Sequence, residues 1–308
     1  MSNATEQHVT LQNETLAVRI EPAAGGRIAS IALHAGVNVL FQNKARTGGM
    51  DRFYGGWQCM FPNAGAASAY EGIAHPAHGA AFADRWELRA DDESSVELEI
   101  RAPGDLQLSR RIELYSRRPA LFVRDRILNV GKLTTSFSFG HHPVFVGRRD
   151  SVLDLPAGIA VLEAPADAQG VSVAASESLT LSLADLLGTG REAFWALACS
   201  GPGSARLRAS SAESSGAWTA ASMAWDARAL PYLWVWIRKQ PRRRDGSDVI
   251  SVGIEPVSAS SPTGLADAVR RGEQLILEPG RACTFGLDLE LALLDESSEA
   301  TYRDQSID

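Results

Sequence analysis

Apolar residues recur at every second position along most of this chain, and no other feature constrains its fold so strongly. In "HVTLQNETLAVRI" (8–20), Val9 and Leu11 alternate with polar residues, the chain turns at Asn13-Glu14, and Leu16, Val18 and Ile20 resume the pattern. "SVELEI" repeats it with Val96, Leu98 and Ile100, "LQLSRRIELY" with Leu106, Leu108, Ile112 and Leu114, and "CTFGLDLEL" with Phe285, Leu287, Leu289 and Leu291. Successive side chains of a strand point to opposite faces, so a period of two marks strands with one face on a core and one toward solvent. Turn signals fall between them: "PAAGG" (22–26), "RRPA" (117–120), "SGPGS" (200–204) and "EPGRA" (278–282). Helical signals are scarce: "TGLADAVRRG" (263–272), closed by Gly272, and one further turn within 183–190.

Many short strands at hairpin spacing predict an all-β fold, a large twisted antiparallel β-sandwich. No composition break or long Pro/Ser linker divides the 308 residues. All-β folds often exceed about 200 residues as one unit. Residues 1–308 are therefore expected to form a single domain, with its core over 8–292 and a polar, acidic tail at 295–308. No fixed-period repeat supports a propeller or solenoid.

The balance of 30 basic against 37 acidic residues, net −7, argues against nucleic acid as a main partner, since phosphate binding needs a positive surface. The one basic cluster, "RKQPRRRDG" (238–246), reads as a solvated loop. No run approaches the ~18 apolar residues of a membrane span. The N-terminal "MSNATEQHVT" lacks the apolar segment of a signal peptide. Cys59, Cys199 and Cys283 are far apart, with no CxxC, as suits reduced thiols. These features predict a soluble cytoplasmic protein with no membrane contact.

Three stretches are richer in polar and aromatic groups than strands require. One is "DRFYGGWQCMFPNAG" (51–65) with the nearby "HPAHGAAFADRW" (75–86); another is "GHHPVF" (140–145); the third is "VISVGIEPVSA" (249–259). Four of the six histidines, His75, His78, His141 and His142, lie in the first two. They permit a metal reading, with His75, His78, one of the adjacent pair and Glu255 as ligands. They also permit an acid/base reading and a purely structural one. On an extended chain His141 and His142 point to opposite faces, so only one of them enters any site. Glu255 ends an apolar run of Val249, Ile250, Val252 and Ile254. It is either an exposed carboxylate before the Pro256 turn or a buried one, whose pKa would rise from ~4.3 toward that of a general base. In "AWDARALPYLWVWI" (224–237), Trp234 and Trp236 share one strand face. They serve as core or as a wall against the C–H faces of a sugar, with Asp226 near enough in sequence to take hydroxyls.

Taken in order, these stretches resemble the aldose 1-epimerase (galactose mutarotase-like) superfamily, in the branch of the hexose-6-phosphate epimerase relatives. "PAHGAAFADRWEL" is similar to that group's "HGFAR…W" segment and places His78 at its histidine. "HHPVF" is similar to "H-x-Y-F" and places His142 at the catalytic acid. "VGIEP" resembles the "EP" strand and places Glu255 at the catalytic base. "GGWQCMFPNAG" resembles the site wall, and "LEPGRACTF" the "L.PGes" start of the last strand. The likeness spans roughly residues 10–292.

The sequence departs from the family at Val144, where an aromatic is usual, and at Ala80-Ala81 and Asp84. The family's upstream arginine has Arg52 as its nearest candidate. These departures bear on the substrate more than on the reaction.

The resemblance implies a small-molecule aldose or sugar phosphate as partner, and anomer interconversion by acid/base ring opening, with no cofactor and no metal. Glu255 would act as carboxylate base. His142 would act as imidazolium acid, held charged by Glu255. His78, Arg52, Asn63, Asp226 and Trp234 would bind substrate. A non-catalytic carbohydrate-binding or regulatory protein on the same fold is the alternative, and a metal-dependent β-barrel enzyme of cupin type is a third.

Overall fold

The computed structural model describes residues 8–34, 36, 38–43, 55–166, 177–210, 218–241 and 248–294. Two nine-stranded sheets dominate it. The first runs edge to edge through Val9–Gln12, Leu16–Glu21, Arg27–Leu33, Gly56–Met60, Gly140–Gly147, Ile250–Val257, Tyr232–Lys239, Glu192–Cys199 and Ile159–Glu163. The second runs through Leu179–Ser182, Val152–Leu155, Gly203–Ser210, Trp218–Trp225, Ala282–Leu294, Ala120–Asn129, Leu106–Leu114, Ser95–Ala102 and Glu87–Asp91. Every pairing is antiparallel. This is the expected all-β sandwich. Among the described residues there are two short α-helices, Leu183–Leu187 and Leu265–Arg271, both where the sequence predicts them. Gly272 closes the second in the left-handed conformation. No helix among the described residues is long and apolar enough to cross a membrane.

The alternation is what brings the sheets together. Val18, Ile31, Val235, Val252 and Ile254 of the first sheet share one buried cluster with Val96, Leu108, Val123, Leu207 and Leu287 of the second. Burying such side chains is worth about 1.5–3 kcal/mol each, so this shared layer is the main drive for stacking the sheets.

One charged pair interrupts the apolar layer. Arg110 and Asp125, paired across neighbouring strands, are fully buried and joined by two hydrogen bonds of 2.7 and 2.8 Å. Two ions removed from water repay that cost only with such bidentate geometry, and removing either partner would strand the other.

The central part of the outer face of the first sheet is covered by two segments, 61–86 and 258–273. The Gln58 side chain donates to the Phe82 carbonyl at 2.8 Å, and the Trp234 indole N–H donates to the Ser260 carbonyl at 3.1 Å. The first-sheet strands are thereby buried on both faces over part of their length, and every residue of Ile250–Val257 is buried.

Candidate active site

Two adjacent central strands of the first sheet carry the titratable groups. Their register pairs Gly140 with Val257 and Val144 with Gly253, which puts His142 opposite Glu255. Across the next pairings, Gln58 lies beside His142, Trp234 beside Glu255, and Ala196 beside Trp234. Gln58, His142, Glu255, Trp234 and Ala196 therefore form one row on the outer face. Ladder pairing between the two central strands is interrupted between Gly140 and Val144. Pro143 and Pro256, one on each strand, have no N–H to donate there.

His142 Nε2 lies 3.4 Å from Glu255 Oε1, with both side chains almost wholly buried. Glu255 Oε1 has no hydrogen-bond partner among the described residues. Its carboxylate leans back along its own strand over Gly253, where a Cβ would sit only 2.3 Å from Oε1. Any larger residue at 253 would evict the carboxylate.

His78 arrives from the covering segment. Its ring centroid is 5.1 Å from that of His142 and 4.7 Å from that of Phe82, and Phe82 meets His142 edge-on at 5.3 Å. His78 has φ 63°, a left-handed conformation that a residue with a Cβ adopts only when held. Two backbone bonds hold it: its N–H donates to Gly65 O at 2.7 Å, and its carbonyl accepts from Phe61 N at 3.0 Å. Its Nδ1 is buried with no hydrogen-bond partner among the described residues.

The electrostatics correct one expectation. His142 was expected to be charged, its pKa raised by Glu255. Burial instead pushes the imidazole down to about 3, and the neighbouring His78 adds to the effect. Burial raises the Glu255 carboxyl well above the usual carboxylate range. Both charged forms are disfavoured by the same low-dielectric surroundings. Burial thus favours a neutral imidazole beside a protonated carboxyl over the charged pair. His78 is likewise pushed down to about 4 by burial and stands neutral.

His141 points the other way, as the strand geometry demands. It is fully buried between the sheets, edge-on to Trp57 and Phe139, with Nε2 3.7 Å from Asp125 Oδ2.

The remaining sequence-derived candidates separate. Trp234 lines the row next to Glu255 and is buried, its ring edge-on to Phe194 at 5.9 Å. Asn63 is fully buried, but its amide is spent on the backbone. It donates to Ala66 O and Pro76 O and accepts from Leu265 N, and so pins the wall. Asp226 stands in the exposed turn after Trp225, paired with Arg228 at 3.0 Å, and makes no bond to the row. Its nearness in sequence to the tryptophans does not translate into nearness to the pair. Arg52 lies outside the described residues. His75 is buried in the Ser68–Tyr70/Ile73–His75 hairpin. Among the described residues no three His, Cys, Asp or Glu side chains gather as a metal site. Gln58 is the residue that sequence reasoning missed; its signal was a polar side chain at the outward parity of a strand already read as site wall.

No family model matches the chain, and no curated protein matches it in sequence. Solved structures do match. A galactose mutarotase-like protein from Lactobacillus casei is 18% identical, with a TM-score of 0.66 over 93% of this chain and 100% of that one. A galactose mutarotase related enzyme from Lactobacillus acidophilus is 17% identical, with a TM-score of 0.67 over 93% and 97%. The galactose 1-epimerase of Lactobacillus acidophilus is 16% identical, with a TM-score of 0.61 over 95% and 97%. The chain is an all-β protein whose sandwich carries a buried His–Glu pair on one outer face. More narrowly, its fold is the galactose mutarotase-like fold.

Proposed function

We propose that this protein interconverts the anomers of an aldose by acid/base ring opening, with His142 and Glu255 as its catalytic residues. One observation carries the reading: two groups that exchange protons readily are held 3.4 Å apart in a buried row, roofed by His78 and Phe82. A cyclic hemiacetal opens when a base takes the anomeric hydroxyl proton and an acid protonates the ring oxygen. Both groups come from the chain, and the reaction asks for no cofactor.

The single shared proton suits this cycle. From the minor form with the proton on His142 and Glu255 ionised, Glu255 takes the anomeric proton as His142 gives its own to the ring oxygen. The products of that step are neutral His142 and protonated Glu255, the tautomer that burial favours in the free protein. After the aldehyde rotates about its C1–C2 bond, Glu255 returns a proton to the carbonyl oxygen and His142 recovers one from the C5 hydroxyl. Each turnover therefore moves one proton from His142 to Glu255 by way of the sugar and then back. Neutral His78, with its unpartnered Nδ1, would bind the ring oxygen or an adjacent hydroxyl. Trp234 supplies an apolar wall.

The test is exchange spectroscopy by NMR on the α and β signals of a panel of aldoses, with and without protein. Accelerated exchange for at least one sugar is expected. Sugar binding without acceleration for any sugar would refute the catalytic reading and leave the binding-protein alternative.

A further inference from the structure

Gln58 completes the row on the side of His142 away from Glu255. The residue is 5% exposed. The Phe82 carbonyl takes its Nε2–H at 2.8 Å, and this fixes the amide, because the flipped orientation would set oxygen against oxygen. Oε1 is then a buried acceptor with no hydrogen-bond partner among the described residues. Buried acceptors are normally satisfied, and one held in place by a second bond of the same amide is set for a donor that the chain does not supply.

The order of the row indicates which donor. With a pyranose seated as proposed, Glu255 addresses the anomeric oxygen and His142 the ring oxygen. Continuing in the same direction along the ring leads from the ring oxygen to C5 and its substituent. Adjacent strands are about 4.8 Å apart, more than the separation of the ring oxygen from the C6 hydroxyl oxygen, so the two side chains reach both atoms by converging. We propose that Gln58 Oε1 accepts a hydrogen bond from the C6 hydroxyl of the bound sugar, so that the substrate is a hexose with a free C6 hydroxyl. A 6-deoxyhexose offers no donor. A 6-phosphate dianion offers only acceptors and would set negative oxygens against the amide oxygen. The inference rests on the carbohydrate reading above and selects the unphosphorylated member of its two substrate classes.

The experiment measures anomer exchange, as kcat/KM, for an aldohexose, its 6-deoxy derivative and its 6-phosphate. Wild type and Gln58→Met are compared; methionine keeps the unbranched length and removes the acceptor. Wild type should prefer the hexose over the 6-deoxy sugar by about 10–100-fold, because a site with a buried hydrogen-bonding group rejects the analogue that leaves it unpaired. The 6-phosphate should be the poorest of the three. In Gln58→Met the preference over the 6-deoxy sugar should fall to within about threefold, the hexose losing rate while the 6-deoxy sugar does not. Wild-type rates that are equal for hexose and 6-deoxyhexose, or highest for the 6-phosphate, overturn the inference without recourse to any variant. An undiminished preference in folded Gln58→Met also overturns it. If no aldose binds or exchanges, the proposed function fails and this inference fails with it; if the hexose exchanges but the C6 group is ignored, only the role of Gln58 fails.

Discussion

Replacing His141 by phenylalanine should flatten the loss of stability in acid by one proton's worth. His141 is fully buried, and burial pushes its pKa down to about 3 even though Asp125 pulls the other way. The folded protein therefore keeps this imidazole neutral, while the unfolded chain protonates it below ~6.5. The unfolded state binds the extra proton throughout the window between those values, so the contribution is intact above the unfolded pKa and is lost as pH falls. Each such proton is worth about 1.4 kcal/mol per pH unit. His142, also pushed down to about 3, contributes with the same sign as His141, and Glu255, raised by burial, with the opposite sign. His78, pushed down to about 4, adds a term of the same sign as His141.

Phenylalanine is larger than histidine and should cost about 1–3 kcal/mol of overpacking. That cost is the same at every pH, so the slope isolates the proton. Equilibrium urea unfolding between about pH 7 and about pH 5 gives ΔG at each pH. The dependence of ΔG on pH should be shallower in His141→Phe by about 1.4 kcal/mol per unit below pH ~6. Parallel curves for the two proteins would mean that His141 already titrates normally in the folded state, and would refute its assignment to the inter-sheet core.

Two further outcomes follow from the row. Gly253→Ala should leave the protein folded and binding sugar, but a Cβ 2.3 Å from Glu255 Oε1 must displace the carboxylate. A shift of about 1 Å at a reacting group can cost on the order of 10²-fold, so kcat for anomer exchange should fall about that far while KM changes little; a wild-type kcat would show that Glu255 acts from another position. The pH dependence of kcat/KM should hold level on the acid side until the protein unfolds, because a second proton enters the pair only near the depressed value of His142, about 3. Activity should then decline with a one-proton slope as pH rises through the raised pKa of Glu255, where the shared proton is lost. A bell centred between ~4.3 and ~6.5 would instead report two groups titrating independently at their ordinary values.

The sandwich was legible because alternation is a local signal and strands such as Leu106–Leu114 and Ala282–Leu294 follow it along their length. The same signal also marks the buried ion pair. Arg110 stands at the parity of Leu106, Leu108, Ile112 and Leu114, and Asp125 at the parity of Leu121, Val123 and Ile127. A charge at an inward position on each of two neighbouring strands points to a buried pair. The opposite orientation of His141 and His142 was also readable, since it needs only the strand period. What local sequence could not supply was register. His142 meets Glu255, and Gln58 meets His142, through pairings between segments scores of residues apart. That Asn63 bonds the backbone and Asp226 pairs with Arg228 was not legible, because a polar residue beside aromatics looks alike whether it faces a ligand, a backbone amide or a neighbouring arginine. The protonation of His142 was misjudged because proximity to a carboxylate was visible in the motif order while the depth of burial, which outweighs it, was not.

The central claim is that the Glu255 carboxylate does chemistry, and Glu255→Gln tests it most directly. Glutamine keeps the shape, creates no cavity, and replaces a group whose ionisation burial already opposes, so the variant should fold and still bind sugar. Anomer exchange followed by NMR, on samples whose sugar affinity is measured in parallel, should fall by at least ~10²-fold, within the ~10²–10⁴-fold contribution of a general base. Exchange at the wild-type rate in a folded, sugar-binding Glu255→Gln would contradict the account and place the base elsewhere.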